Sequence, residues 1–100
     1  MFAIAVENNP YDHMELEEAK RKLYEEGFER AYVQDDPPGM DRPAHAHDAK
    51  TVLIVLDGGM KINMQEKTNT LKPGYRFDVP AHEIHSAKIG PKGCRYLVGK

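Results

Sequence analysis

Four of the five histidines in this 100-residue chain lie between positions 45 and 85. His45 and His47 stand two apart, and on a β-strand that spacing places both imidazoles on one face. Thr51, Leu53 and Val55 continue the same parity. If the apolar pair points into a core, the two rings point there too, near its rim. His85 shares parity with Ala87 and Ile89 in a later strand-like segment. Three neutral imidazoles converging from two strands make a site for a divalent transition metal, and iron, zinc, nickel, manganese and copper all suit such donors. The residue types also allow a plainer arrangement. An HxH pair occurs on exposed strands, and a buried histidine is commonly just hydrogen-bonded. Spacing alone leaves both readings open.

The other reactive side chains read more simply. His13 opens a helix and is expected in solvent. Asp48 lies one position off the HxH face and should point away from it. Glu83 falls in a turn. Met60 and Met64 sit on an alternating strand, where methionine is usually core. Tyr75, Phe77 and Tyr96 are expected to pack, and nothing marks Cys94 as reactive.

The elements that must position the histidines follow from the patterning. Phe2–Val6 suits a short strand. Residues 13–26 read as one helix, with Asp12 as its cap, Glu15 three residues later as in a capping box, and Leu16, Ala19 and Leu23 on a narrow apolar face. Gly27 suits the left-handed position after the last turn, with Phe28 folding back onto Leu23. One apolar stripe means the helix packs on the outside of the domain. From residue 28 the pattern turns to short strands. Ala31–Gln34 is one, ended by Pro37-Pro38-Gly39. Thr51–Leu56 is apolar on both faces, as a doubly covered strand should be. Asp57-Gly58-Gly59 reads as a hairpin turn, Met60–Met64 as a half-buried strand and Lys72-Pro73-Gly74-Tyr75 as a type II turn. Phe77 and Val79 share a face. Gly90-Pro91-Lys92-Gly93 is expected to turn the chain into a closing strand, Cys94–Val98. Strands at this spacing point to a mostly β sandwich or barrel.

Composition sets the outer bounds. Hydrophobic residues are 40% and charged residues 30%, an ordinary globular balance for one domain. Net charge is −2 with no basic stripe, which argues against nucleic acid as a partner. The longest apolar run, Val52–Leu56, is strand-sized, so no membrane association is expected. The N-terminus lacks the features of a secretory signal. A single cysteine excludes an intrachain disulfide and a thiolate zinc cluster, which suits a cytoplasmic location.

Two linked patterns then stand out. Gly39, five residues, His45-Ala46-His47, three residues, Thr51, six residues and Gly58 resemble the first cupin motif. Gly74, five residues, Pro80-Ala81-His82, two residues and His85 resemble the second. The resemblance covers roughly residues 28–99. It implies a cupin-type jelly-roll β-barrel with one N-terminal helix, divided as a 1–27 strand-and-helix extension packed on a 28–100 barrel. It also implies that His45, His47 and His85 are the histidine ligands of a divalent metal in the barrel mouth. Three positions depart from the pattern. Thr51 stands where the family has a glutamate ligand, so the metal would keep its full charge and favour anionic or chelating oxygen ligands. His82 replaces a glycine and is expected to point outward or to hydrogen-bond. Ile89 stands where asparagine is frequent.

Two functions fit. One is a metal-dependent enzyme of dioxygenase or isomerase type acting on a small oxygen-containing molecule, although no independent general base is visible. The other is a non-catalytic module binding a small sugar or anion. The resemblance further implies a homodimer formed by sheet packing, to which Phe2–Val6 could add a strand.

Overall fold

The structure, a computed structural model, describes residues 15–100; Phe2–Val6, Asp12 and His13 lie outside the described residues. Helix α1 (Leu16–Glu25) buries Ala19 and Leu23, the face the i,i+4 spacing marks. Its start differs from the expected capping box. Glu15 is itself the N-cap, in extended conformation (φ −64°, ψ 143°), and its side chain makes no capping hydrogen bond. The end follows the sequence. Gly27 takes φ +102°. Its N–H donates to the Tyr24 carbonyl (3.0 Å), and the Phe28 N–H reaches the Leu23 carbonyl (3.1 Å). This two-bond ending satisfies otherwise orphaned carbonyls and turns Phe28 back beside Leu23. Both pack with Val52, Ile54 and Leu97, which docks the helix on the outer face of the sheet.

Six antiparallel strands follow: β1 (Ala31–Asp36), β2 (Asp41–His45), β3 (Thr51–Met64), β4 (Lys67–Leu71), β5 (Arg76–Val79) and β6 (His85–Gly99). Their order is β1-β6-β3-β4, with β2 also on β6 and β5 also on β3. The pairing divides into two halves. In one, β1 and the Cys94–Gly99 part of β6 align with the start of β3 and with β5. In the other, β2 and the His85–Ile89 part of β6 align with the end of β3 and with β4.

The halves meet along a line of bends, and here two sequence expectations are corrected. Asp57-Gly58-Gly59 is not a hairpin and Gly90–Gly93 does not separate two strands; β3 and β6 run through both. The ladder passes from Val55↔Tyr96 to Asp57↔Arg95, a one-residue bulge on β3. It then passes from Gly58↔Cys94 to Met60↔Ile89, two steps on β3 against five on β6. Gly58 has φ +77°, and a Cβ there would fall onto the Gly93 carbonyl oxygen, so only glycine lets the two bent strands approach. The remaining crossings of the line are Pro37–Met40 and Lys72–Tyr75. The latter has Gly74 at φ +89° and a Tyr75 N–H to Lys72 carbonyl bond of 2.9 Å, as a type II turn requires. The tight β3–β4 hairpin instead uses Gln65 and Glu66, both at positive φ.

Alternation then decides what lies inside. Met60, Ile62 and Met64 are buried while Lys61 and Asn63 are exposed. With Val55, Leu71, Phe77, Val79, Ile89, Tyr96 and Val98 they form the inner core. Val52 and Ile54 face the helix, so the start of β3 is covered on both sides, as its continuous apolar run implies.

Candidate metal centre

His45 closes β2 and His85 opens β6, and the two are direct partners across the ladder. His47 arrives differently from the expectation of two histidines on one strand. β2 ends at His45 after a register shift, and His47 belongs to the connection before β3. Its carbonyl accepts the His82 N–H at 2.8 Å, which ties this connection to the turn before β6. The three rings nevertheless converge. Their centroids are 4.8 Å (His45–His47), 4.4 Å (His45–His85) and 5.1 Å (His47–His85) apart. One ligating nitrogen from each lies within 4.8 Å of the others. Nitrogens sharing a metal at about 2.0–2.1 Å stand roughly 3–3.5 Å apart, so small side-chain rotations complete the set.

The donor chemistry fits a metal. His45 Nδ1 lies 2.8 Å from the Pro43 carbonyl oxygen and His85 Nδ1 lies 3.1 Å from that of Glu83. A carbonyl only accepts, so each Nδ1 carries the proton and each Nε2 keeps its lone pair. Such a contact fixes both tautomer and ring orientation in metal-ligating histidines. Burial, with the neighbouring imidazoles, pushes His47 below its ordinary value. Burial likewise lowers His85 against the opposing pull of the Glu83 carbonyl. Both effects favour the neutral, ligating form. His85 is buried and His45 exposed, so the cluster sits at a mouth.

Other candidates stay apart. His82 is exposed, at φ +67° in the glycine position, and engages through its backbone. Asp48 is exposed. Glu83 accepts a hydrogen bond from Gln65 (2.8 Å). Thr51 is buried and lines the same cavity, but its hydroxyl donates to the Ala49 carbonyl at 3.3 Å. Among the described residues, the potential donors gathered at this point are therefore three imidazoles.

Behind the histidines lies a cavity of about 140 Å³. Leu53, Ile62 and Val98 make its apolar wall, and Gln34, Arg42, Tyr96 and Lys100 its polar one. The polar part centres on Asp36, which the sequence reading passed over. Its carboxylate is buried. Arg42 donates to it from Nε (3.1 Å) and Nη2 (2.6 Å), Tyr96 from its hydroxyl (2.7 Å) and Gln34 from Nε2 (3.2 Å). Burial opposes the charge on Asp36, but these hydrogen bonds outweigh it and hold the carboxyl below its usual range. Burial together with the Asp36 bond drives Tyr96 upward, so its hydroxyl stays protonated and donating. One sequence signal pointed here. Tyr96 alternates with Cys94 and Val98 on the inner face, and an inward tyrosine hydroxyl needs a partner.

Comparison with known proteins agrees with this architecture. The cupin domain family model matches residues 32–98. An RmlC-like cupin from Shewanella frigidimarina superposes with a TM-score of 0.63 at 28% identity, covering 69% of this chain and 61% of that one. The DMSP lyase DddQ from Ruegeria pomeroyi gives 0.64 at 28% identity, over 68% of this chain and 35% of the lyase. A protein of unknown function from Rhizobium leguminosarum gives 0.65 at 20% identity, over 69% of this chain and 65% of that one. This chain thus spans a little under two thirds of the Shewanella and Rhizobium proteins and about a third of the lyase. No curated protein matches it. With the family model spanning β1 to β6, a bent double-layered β-fold and three histidines gathered at its mouth, the chain belongs to the cupin family.

Proposed function

We propose that His45, His47 and His85 hold a divalent transition metal and that the cavity behind them acts on a small oxygen-containing molecule, in a dioxygenase- or isomerase-like reaction. The observation that carries this reading is the convergence of three imidazoles, two with Nδ1 pinned to backbone carbonyls and Nε2 left to coordinate. A bound metal would supply Lewis-acid polarisation of a substrate oxygen or, with iron, redox chemistry. The protein's own groups do the rest. Leu53, Ile62 and Val98 exclude water from the inner end, and Gln34, Tyr96 and Arg42 present fixed polar atoms to whatever enters. Similarity to a DMSP lyase supports catalysis on a small molecule. Elemental analysis of untagged protein beside a His45→Ala/His47→Ala variant tests the site. Near-stoichiometric metal in the parent and none in the folded variant is expected. No metal in either, after reloading with iron, zinc, nickel, copper and manganese in turn, would remove the proposal.

A second reading, non-catalytic binding of a sugar or anion, is favoured by Arg42 and Lys100 in the cavity wall, since two cations retain an anion without chemistry. Thermal stabilisation of metal-free protein by a neutral sugar would support binding over catalysis. We also propose a homodimer in a reducing cytoplasm, on the basis of sheet edges that carry no further strand among the described residues and of the buried, single Cys94. Sedimentation velocity showing only monomer would remove the dimer.

A further inference from the structure

The charge of the cavity wall is one-sided. Arg42 and Lys100 line it, and no aspartate or glutamate does among the described residues. Asp36 sits behind the wall: its side chain is 1% exposed, while that of its partner Arg42 is 35% exposed. Asp36 occupies the Nε and Nη2 donors of Arg42. A guanidinium has a second planar edge, Nη1 with Nη2, of the shape that binds a carboxylate through two parallel bonds. The Asp36 contact fixes the plane of the guanidinium without using Nη1, and the Tyr96 side chain is a further hydrogen-bonding neighbour of Arg42. Tyr96 on β6 and Gln34, two residues before Asp36 on β1, also bond Asp36 and brace the arrangement.

The span to the histidines follows from the ladder. Arg42 pairs with Ala87 and His45 pairs with His85. The two wall positions are thus two residues apart along β6, roughly 7 Å.

We infer that Arg42 is a specificity-determining residue which receives a carboxylate of the ligand, that Asp36 is its positioning residue, and that the ligand is a short dicarboxylate or similar two-ended oxyacid whose other end reaches the three-histidine centre. This rests on the proposed metal site for one end of the ligand only.

Succinate is the probe, with butane-1,4-diol as its neutral counterpart and zinc alone as the control, each titrated calorimetrically. The proteins are the parent, Asp36→Asn/Arg42→Gln and Arg42→Lys. The double variant removes both charges together. Arg42→Lys keeps a cation beside Asp36, and with it the fold, but loses the planar edge. In zinc-loaded protein, succinate is expected to bind the parent and the diol not to. Each variant should weaken succinate about tenfold or more, the loss of one charge-assisted pair, while zinc affinity stays unchanged. Equal binding of succinate and diol, no succinate binding to the parent at millimolar concentration, or unaltered succinate affinity in both folded variants would overturn the inference. If the parent takes up neither zinc nor iron, nickel, copper or manganese, the metal proposal fails separately. The same succinate comparison in metal-free protein then decides the role of Arg42, an unchanged affinity in the variants again overturning it.

Discussion

Replacing Arg42 alone by glutamine isolates the energetic role of the Asp36 network. Removing one partner of a buried ion pair costs about 3–5 kcal/mol when the remaining charge is fully desolvated. Two features of the structure reduce that figure. Arg42 is partly exposed, so water can reach the vacated position, and Tyr96 and Gln34 still donate to Asp36. An expected loss of about 2–3 kcal/mol at pH 7 follows. The pH dependence supplies the sharper test. In the parent, Asp36 titrates below its ordinary value of 3.8, so its contribution is complete above that value and is lost as pH falls through the lower, folded-state value. In the variant, burial acts with less opposition and the folded-state value rises. The ionised carboxylate then destabilises the fold, and protonation relieves it. The stability gap between parent and Arg42→Gln should therefore be widest near neutrality and narrow as pH falls through the carboxylate range. Urea titrations at pH 7, 5 and 4 measure it, with Asp36→Asn/Arg42→Gln expected to recover about half or more of the loss. A gap below about 0.5 kcal/mol at pH 7, or one constant from pH 7 to 4, would refute the idea that Asp36 is a buried charge dependent on Arg42.

Three further outcomes are expected. Gly58→Ala places a Cβ against the Gly93 carbonyl at positive φ, and should cost about 3 kcal/mol or more in chemical denaturation, or abolish folding; a cost below 1 kcal/mol would mean that the bend does not depend on glycine. His82→Gly should leave metal content unchanged and shift stability by less than about 1 kcal/mol, because relief of the left-handed backbone offsets glycine's greater freedom when unfolded; loss of metal would show that the ring is a ligand after all. The Cys94 thiol, pushed up to about 12 by burial and then by the charges of Asp36, Asp57 and Asp35, should resist alkylation at pH 8 in folded protein and react at once in denaturant; rapid native labelling would contradict its burial.

Much of the fold was written in local alternation. The 60–64 stretch, Phe77 with Val79, and His85 with Ala87 and Ile89 each follow a period of two, and the pleat of a strand converts that period directly into an inner and an outer face. The same rule marked His45, His47 and His85 as inward-facing, and the three rings do meet, although His47 lies in a connection and not on a strand. Gly27 marked the helix end because its backbone conformation is a property of that residue itself. The helix start was misread, since Glu15 serves as the N-cap and not as the third residue of a capping box.

The glycines of Asp57–Gly59 and Gly90–Gly93 were a different matter. Turn-forming residues state only that the chain can change direction. Whether it reverses onto itself or bends across a corner depends on which strand it pairs with, and β6 pairs with β1, β2 and β3 at once. The one tight hairpin among the described residues carried Gln65 and Glu66, residues with no turn signature. Likewise His47 reaches the centre from a connection whose path is set by a backbone bond to His82, remote from it in sequence. Most dependent on tertiary structure is the Asp36–Arg42 pair. Flanking a turn, two opposite charges read as solvated; pairing of their strands to the two halves of β6 is what carries both to the inner face, where Tyr96 meets them. Composition and spacing thus determined the class of fold, which depends on side-chain period, and marked the three histidines, whose meeting point the tertiary structure set. The cavity's charge, and the polar network that shapes what it admits, arose only from contacts between segments up to 60 residues apart.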